Sequence, residues 1–277
     1  MREVGHYNID DPGKIQGRDE VSPVDHSVAA IRLNHCLSAF RELTRHVLVL
    51  GCGAGRYVRA LKRERPDLEV TGCDLSLAAL REARSTDPMG SYVALDASVL
   101  PFADEAIAGV VFFDLLEHVP AYHRMLDEIY RVLTPGGVLH FYTPLEDQPK
   151  SVYRLLKSSQ RLPLRTWKQD HVGHINFFRS EEVIRDVWNS GLDVGNVRYG
   201  FHPFGQIHDL VDYWQRERNG GAPGILPPSA VRLTTRLTHL FTWRLSYLED
   251  LLYDGPVLGS GLHLTATKER SGRSRYR

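Results

Sequence analysis

Val47-Leu48-Val49-Leu50-Gly51-Cys52-Gly53-Ala54-Gly55-Arg56 is an apolar run that ends in three glycines at alternate positions. Tyr57, Val58, Ala60 and Leu61 then repeat at helical spacing. This reads as a buried strand, a tight turn and the N-terminus of a helix. Glycine suits such a turn because a Cβ would block positive φ and hold a ligand away from the backbone. The helix start offers unpaired N–H groups and a partial positive charge, a seat for an anionic group.

Segments of the same kind follow. Val70 to Asp74 reads as a second strand, with Ser76 capping a helix that runs to about Arg84. Ser91 to Leu95 is a short third strand, followed by Asp96, and Ile107 to Phe113 is an apolar fourth. A helix after Pro120 carries Met125, Leu126, Ile129, Val132 and Leu133. Pro135-Gly136-Gly137 predicts a turn that ends this helix before a fifth strand, Val138 to Tyr142. Apolar strands alternating with helices predict an α/β fold, a doubly wound, mostly parallel sheet covered on both faces. Ligands of such sheets bind beyond the carboxyl ends of the strands, where Gly51, Asp74, Asp96 and Asp114 all fall.

Two ligand classes use the glycine turn. The dinucleotide pattern is Gly-x-Gly-x-x-Gly. Here the third glycine comes one residue early, at Gly55, and position 56 is Arg. The ordered segments VLVLGCGAG, VTGCDLS, ALDASVLPF, VVFFDLLEHV and RVLTPGGVLHFYTP resemble the class I S-adenosylmethionine-dependent methyltransferases, in particular the ubiquinone-methyltransferase-like, small-molecule branch. The resemblance covers about residues 45–145 and returns weakly at 171–199.

The resemblance implies a Rossmann-like sheet of seven strands and S-adenosylmethionine as cofactor. Gly51, Cys52, Gly53 and Gly55 would pass under its methionine part. Asp74 would accept the ribose hydroxyls, with a turn-capping role as the plainer reading. Leu75, Asp96, Ala97 and Ser98 would meet the adenine, with an Asx-turn as the plainer reading of Asp96. Leu75 and Leu100 would flank the base or belong to the core. Asp114 would lie near the cofactor's methionine part or the transferred methyl. His118 is a candidate general base, since imidazole titrates near neutrality. A structural role weighs equally. His171 and His174 are weaker catalytic candidates. Their i, i+3 spacing outside a clear helix is poor support for a metal, and no metal is expected.

Other segments extend this core. Residues 1–44 read as an N-terminal arm and helix that folds over the cofactor as a lid, with Tyr7 and His26 in the arm. Residues 45–199 form the core. A helical cap, 200–260, is inserted before a last edge strand and basic tail, 261–277. The cap carries a long helical stretch from Ser229 to Tyr253. Its apolar side holds Leu233, Leu237, Leu240, Phe241, Leu245, Leu248 and Leu252, expected to pack on the core or on a second subunit, with an interfacial membrane helix as the other reading.

Composition narrows the partners. Lys+Arg and Asp+Glu both number 34, so no basic excess points to nucleic acid. The lack of Asn/Asp-Pro-Pro-Tyr/Phe after the fourth strand argues against a DNA amine as acceptor. Cys36, Cys52 and Cys73 are odd in number and include no C-x-x-C, which fits a reducing cytoplasm. No run approaches the ~18 apolar residues of a membrane span, so stable membrane insertion is not expected. The reading is a methyltransferase for an O or N nucleophile of a small organic acceptor in secondary metabolism, cytoplasmic and able to form a homodimer. Its rival is a non-methylating S-adenosylmethionine-binding protein, a cyclase or partner subunit.

Overall fold

The computed structural model describes residues 3–4, 7–156, 159, 162–221 and 227–270. Seven strands form one sheet: β1 (Arg45–Leu50), β2 (Leu68–Asp74), β3 (Ser91–Ala94), β4 (Ile107–Phe113), β5 (Leu133–Pro144), β6 (Asp193–Gly200) and β7 (Gly261–Thr267). Their order is β3-β2-β1-β4-β5-β7-β6. The first five run parallel, and β7 is antiparallel to both neighbours.

Strand periodicity divides the core. Leu48, Leu50, Val110 and Phe112 point to one face, under α4 (Tyr122–Val132) and α7 (Ser180–Asn189). Val47, Val49, Val111 and Phe113 point to the other, under α1 (Val28–Ala39), α2 (Arg56–Glu64) and α3 (Leu77–Thr86). Successive side chains of a strand alternate faces, so a run apolar at every position has to be covered twice. Ser27 and Ser76 cap α1 and α3 by accepting the Ala30 and Ala79 N–H groups.

Two sequence expectations change. Gly261–Thr267 is interior to the sheet, and β6 is the edge. The alternation of Leu262, Leu264 and Ala266 suggested an edge with one wet face, but His263 is also buried, against the ring of Tyr142. The Pro135-Gly136-Gly137 turn falls inside β5. Leu133 pairs with Ile107 and Val138 with Gly109, so Thr134 to Gly137 bulge out of the ladder.

The smaller helices α5 (Val152–Leu156) and α6 (Leu164–Trp167) follow β5, and α8 (Pro203–Asn219) and α9 (Pro228–Leu252) join β6 to β7. Asp250 of α9 ties these last helices to the sheet. It pairs with His202 at 2.8 Å and accepts the Phe201 N–H. Leu233, Leu237, Leu240, Phe241, Leu245, Leu248 and Leu252 are exposed, so of the two expected partners for this face, the core and a second subunit, the core is not the one they pack on. Helix α9 instead buries its opposite, small polar face, at Thr235, Thr242 and Ser246. No helix among the described residues is long and apolar enough to cross a membrane. Residues 222–226 of the expected cap and 271–277 of the expected basic tail lie outside the described residues.

Candidate active site

A cavity of about 460 Å³ opens at the carboxyl ends of β1, β4 and β5. Gly51, Cys52 and Gly53 form one wall, Asp114 and Tyr142 the floor, and Tyr213, Arg216 and Trp243 of the inserted helices the opposite wall.

The glycine wall depends on backbone geometry. Gly51, Gly53 and Gly55 have φ of 62°, 54° and 90°, a region costly for residues with a Cβ. Gly55 caps α2. A Cβ on Gly53 would lie 2.5 Å from the carbonyl oxygen of Gln16. That carbonyl accepts the Ala54 N–H at 2.8 Å. Asp10 further accepts the Ser76 hydroxyl at 2.8 Å, so the N-terminal arm lies across the strand tips.

Asp74 ends β2. Its two oxygens accept the N–H groups of Gly53 and Ser76, each at 2.8 Å, so it fixes the turn as well as facing the strand ends. Burial raises its pKa, against these hydrogen bonds. Asp96 accepts both the Ser98 N–H and hydroxyl, forming an Asx-turn. Asp74, Leu75, Asp96, Ala97 and Ser98 sit at the tips of β2 and β3 and do not line the cavity, and neither does Gly55. Leu100 is buried in the core.

Asp114 leaves β4 at φ 51° and pairs with Arg32 of α1. The Arg32 guanidinium lies 3.8 Å from the centre of the Tyr142 ring. A short 3₁₀ turn, Leu116–His118, follows. His118 and His174 line the cavity with rings 4.9 Å apart, edge to face. The His118 Nδ1 lies 3.1 Å from the Gly173 carbonyl, and the His174 Nδ1 is 2.5 Å from Glu146 Oε1. Burial and the neighbouring His174 lower His118 to about 4, so its imidazole is neutral. His171 is outside the cavity lining. It pairs with Glu217 at 2.7 Å and stacks on Tyr213, which fastens α8.

Lys168 is buried in the wall below α8. Burial opposes its charge, but Asp209, 2.8 Å away, outweighs this and raises its pKa well above the ordinary value. Tyr153 donates its hydroxyl to the same carboxylate at 2.7 Å. Sequence reasoning did not single out Arg32, Glu117, Tyr142, Glu146, Lys168 or Asp209. Glu117 did carry a signal, as a carboxylate between apolar Leu116 and Val119. Lys168 and Asp209 are 41 residues apart, and nothing in the sequence joins them.

Residues 48–141 match the methyltransferase domain family. The chain is 40% identical over 93 residues to a ubiquinone/menaquinone biosynthesis C-methyltransferase of Desulfotalea psychrophila, covering 33% of this chain and 38% of that one. It is 29% identical over 200 residues to a ubiquinone biosynthesis O-methyltransferase of Alkalilimnicola ehrlichii, covering 68% and 77%. The first of these alignments thus spans well under two thirds of its relative. The crystal structure of the [4+2]-cyclase SpnF superposes with a TM-score of 0.57 at 18% identity, covering 92% of this chain and 85% of that one, which is a likeness of fold.

Proposed function

We propose, for a chain that belongs to the class I S-adenosylmethionine-dependent methyltransferases, transfer of a methyl group to an oxygen or nitrogen of a small organic acceptor, as a step of secondary metabolism. The observation that carries this reading is the cavity itself, with bare glycine backbone on one side and the walls of α8 and α9 on the other.

The residues fit the cofactor. Gly51 and Gly53 line the cavity with backbone at positive φ. Asp74 accepts the N–H groups of Gly53 and Ser76 and presents its carboxylate at the tip of β2 for the ribose hydroxyls. When bound, S-adenosylmethionine supplies a methyl already activated on a sulfonium. The chain's part is to align the acceptor with that methyl and to exclude water. Residues 1–44 act as the lid and residues 200–260 as the acceptor-side cap. Without a bound metal ion, the neutral imidazole of His118 offers a proton acceptor at the cavity, weakened by its lowered basicity. Lys168 and Asp209 form a buried charged wall that favours a polar acceptor group on that side.

Calorimetry with S-adenosylmethionine and its demethylated product tests cofactor use. Saturable binding that weakens at least tenfold in Asp74→Ala is expected, and no heat with either ligand would overturn the reading. Radiolabelled methyl transfer to candidate hydroxyl and amine acceptors tests the reaction. Tight binding with no transfer to any acceptor would favour a non-methylating role.

A further inference from the structure

We propose that Glu117, His118 and His174 form a binding site for a divalent transition-metal ion at the acceptor end of the cavity. Their donor atoms lie within 4.8 Å of one another. Glu117 Oε1 is 3.9 Å from the Nε2 of His118 and 3.9 Å from the Nε2 of His174. Ligand atoms around a tetrahedral Zn²⁺ are about 3.3 Å apart, so each of these pairs closes by about half an ångström to hold one.

The groups that hold the two imidazoles point the same way. A histidine that binds a metal through Nε2 is oriented by an acceptor on Nδ1, commonly a carboxylate or a backbone carbonyl. Glu146 Oε1 is within 2.5 Å of the Nδ1 of His174, and the Gly173 carbonyl within 3.1 Å of that of His118. Both imidazoles therefore turn Nε2 towards Glu117. The other oxygen of Glu117, Oε2, accepts the Thr143 hydroxyl at 3.1 Å.

Glu117 provides the independent observation. It is fully buried, and its Oε1 has no hydrogen-bond partner. A buried carboxylate oxygen without a partner is costly. Burial, with Asp114 and Glu146 nearby, raises the carboxyl pKa well above its ordinary value. A cation between Glu117 Oε1 and the two nitrogens supplies the missing partner and offsets this repulsion. Lys168, 3.9 Å from Glu146, is held by Asp209 at 2.8 Å.

Two nitrogens and one carboxylate oxygen suit Zn²⁺, Co²⁺ or Fe²⁺ rather than Mg²⁺ or Ca²⁺. Three protein ligands leave a coordination position, and His118 and His174 face the cavity. That position receives an oxygen of the acceptor, a hydroxyl, enol or carboxylate. This last step rests on the methyl-transfer reading, whereas the ion site does not. No local motif marks this site: His171 is the histidine near His174 in sequence, while the neighbours of His174 in the fold lie 56 and 57 residues earlier, at His118 and Glu117.

Protein stripped with chelator and titrated with Co²⁺, without S-adenosylmethionine, tests the site. One ion per chain with visible d–d absorption is expected, displaced by Zn²⁺. Glu117→Gln should weaken Zn²⁺ at least tenfold, Glu146→Gln about tenfold, and the His118→Ala/His174→Ala double variant more than a hundredfold. Equal affinity in wild type and double variant, or no saturable binding to wild type, overturns the site. Should the variants unfold, nitrogen NMR of the wild-type histidines decides. Zn²⁺ should shift two Nε2 resonances, and no response from any imidazole refutes the proposal. Addition of hydroxylated or carboxylated acceptors should alter the Co²⁺ spectrum. An unchanged spectrum removes the acceptor step and leaves the ion site standing, and a chain that binds the ion but no S-adenosylmethionine separates this proposal from the methyl-transfer reading.

Discussion

The guanidinium of Arg32 on α1 pairs with the carboxylate of Asp114 at the tip of β4 and covers the ring of Tyr142. One residue thus holds three elements of the cavity floor. Asp114 is half exposed, so the ion pair alone is worth at most about 1 kcal/mol. Stacking on Tyr142 adds about 0.5–2 kcal/mol. Arg32→Met should lower stability by about 1–2 kcal/mol in urea denaturation, and Arg32→Lys by less. It should also weaken cofactor binding in calorimetry, because Asp114 loses the partner that orients it.

At Gly53 the arm and the glycine wall meet. An alanine there places its Cβ against the Gln16 carbonyl and must adopt φ 54°. Such strain costs about 1–3 kcal/mol. Gly53→Ala should lower the melting temperature and reduce S-adenosylmethionine affinity at least tenfold. Gly195→Ala is the control, since its Cβ would meet only the Thr265 carbonyl oxygen at 3.5 Å. Deletion of residues 1–23 should weaken the same affinity, and unaltered binding would remove the lid role of the arm.

The pair His202–Asp250 predicts a pH dependence of stability. Burial alone lowers the His202 pKa, but Asp250 and the Gly255 carbonyl outweigh it and hold it above the ordinary value. A raised folded-state pKa means that the charged form stabilises the fold. That contribution is complete below the unfolded value of about 6.5 and is lost as pH rises through the folded value. The difference in melting temperature between wild type and Asp250→Asn should therefore be largest near pH 5.5 and shrink towards pH 8.5. A difference that grows with pH would contradict the charge state.

All three thiols are buried. Burial pushes Cys36 and Cys52 well up and Cys73 up to about 12, with the Asp74 carboxylate adding to the last two. Thiolate is the reactive form, so the native protein should resist a disulfide reagent at pH 8. Denaturant should then release three reactive groups. Rapid native labelling of Cys52 would show that the glycine turn opens.

Much of the sheet was legible from local pattern. Val47 to Leu50 and Ile107 to Phe113 are apolar at every position, and only a strand covered on both faces asks for that. Gly51 and Asp114 were legible as cavity residues because each follows such a strand directly, and Gly53 because it belongs to the glycine turn after β1. The place of β7 was not. Its pairing joins residues more than a hundred positions apart, Thr143 to Leu262 and Phe141 to Leu264, and no local period encodes it. What the exposed face of α9 packs on was not legible either, for a related reason. An apolar stripe says that a helix has a face to cover and does not say that this chain covers it. Glu146, Lys168 and Asp209 acquire their meaning only through contacts between segments.

The order of the strands sets a problem during synthesis. β6 leaves the ribosome with no neighbour to pair with, because the strand that belongs between it and β5 follows some sixty residues later. Pairing of distant segments is slow, and an unpaired strand is open to wrong partners in the meantime. Translation stalled before Gly261 should leave β5 with a bare flank and yield a nascent chain prone to clump, whatever the state of the glycine turn.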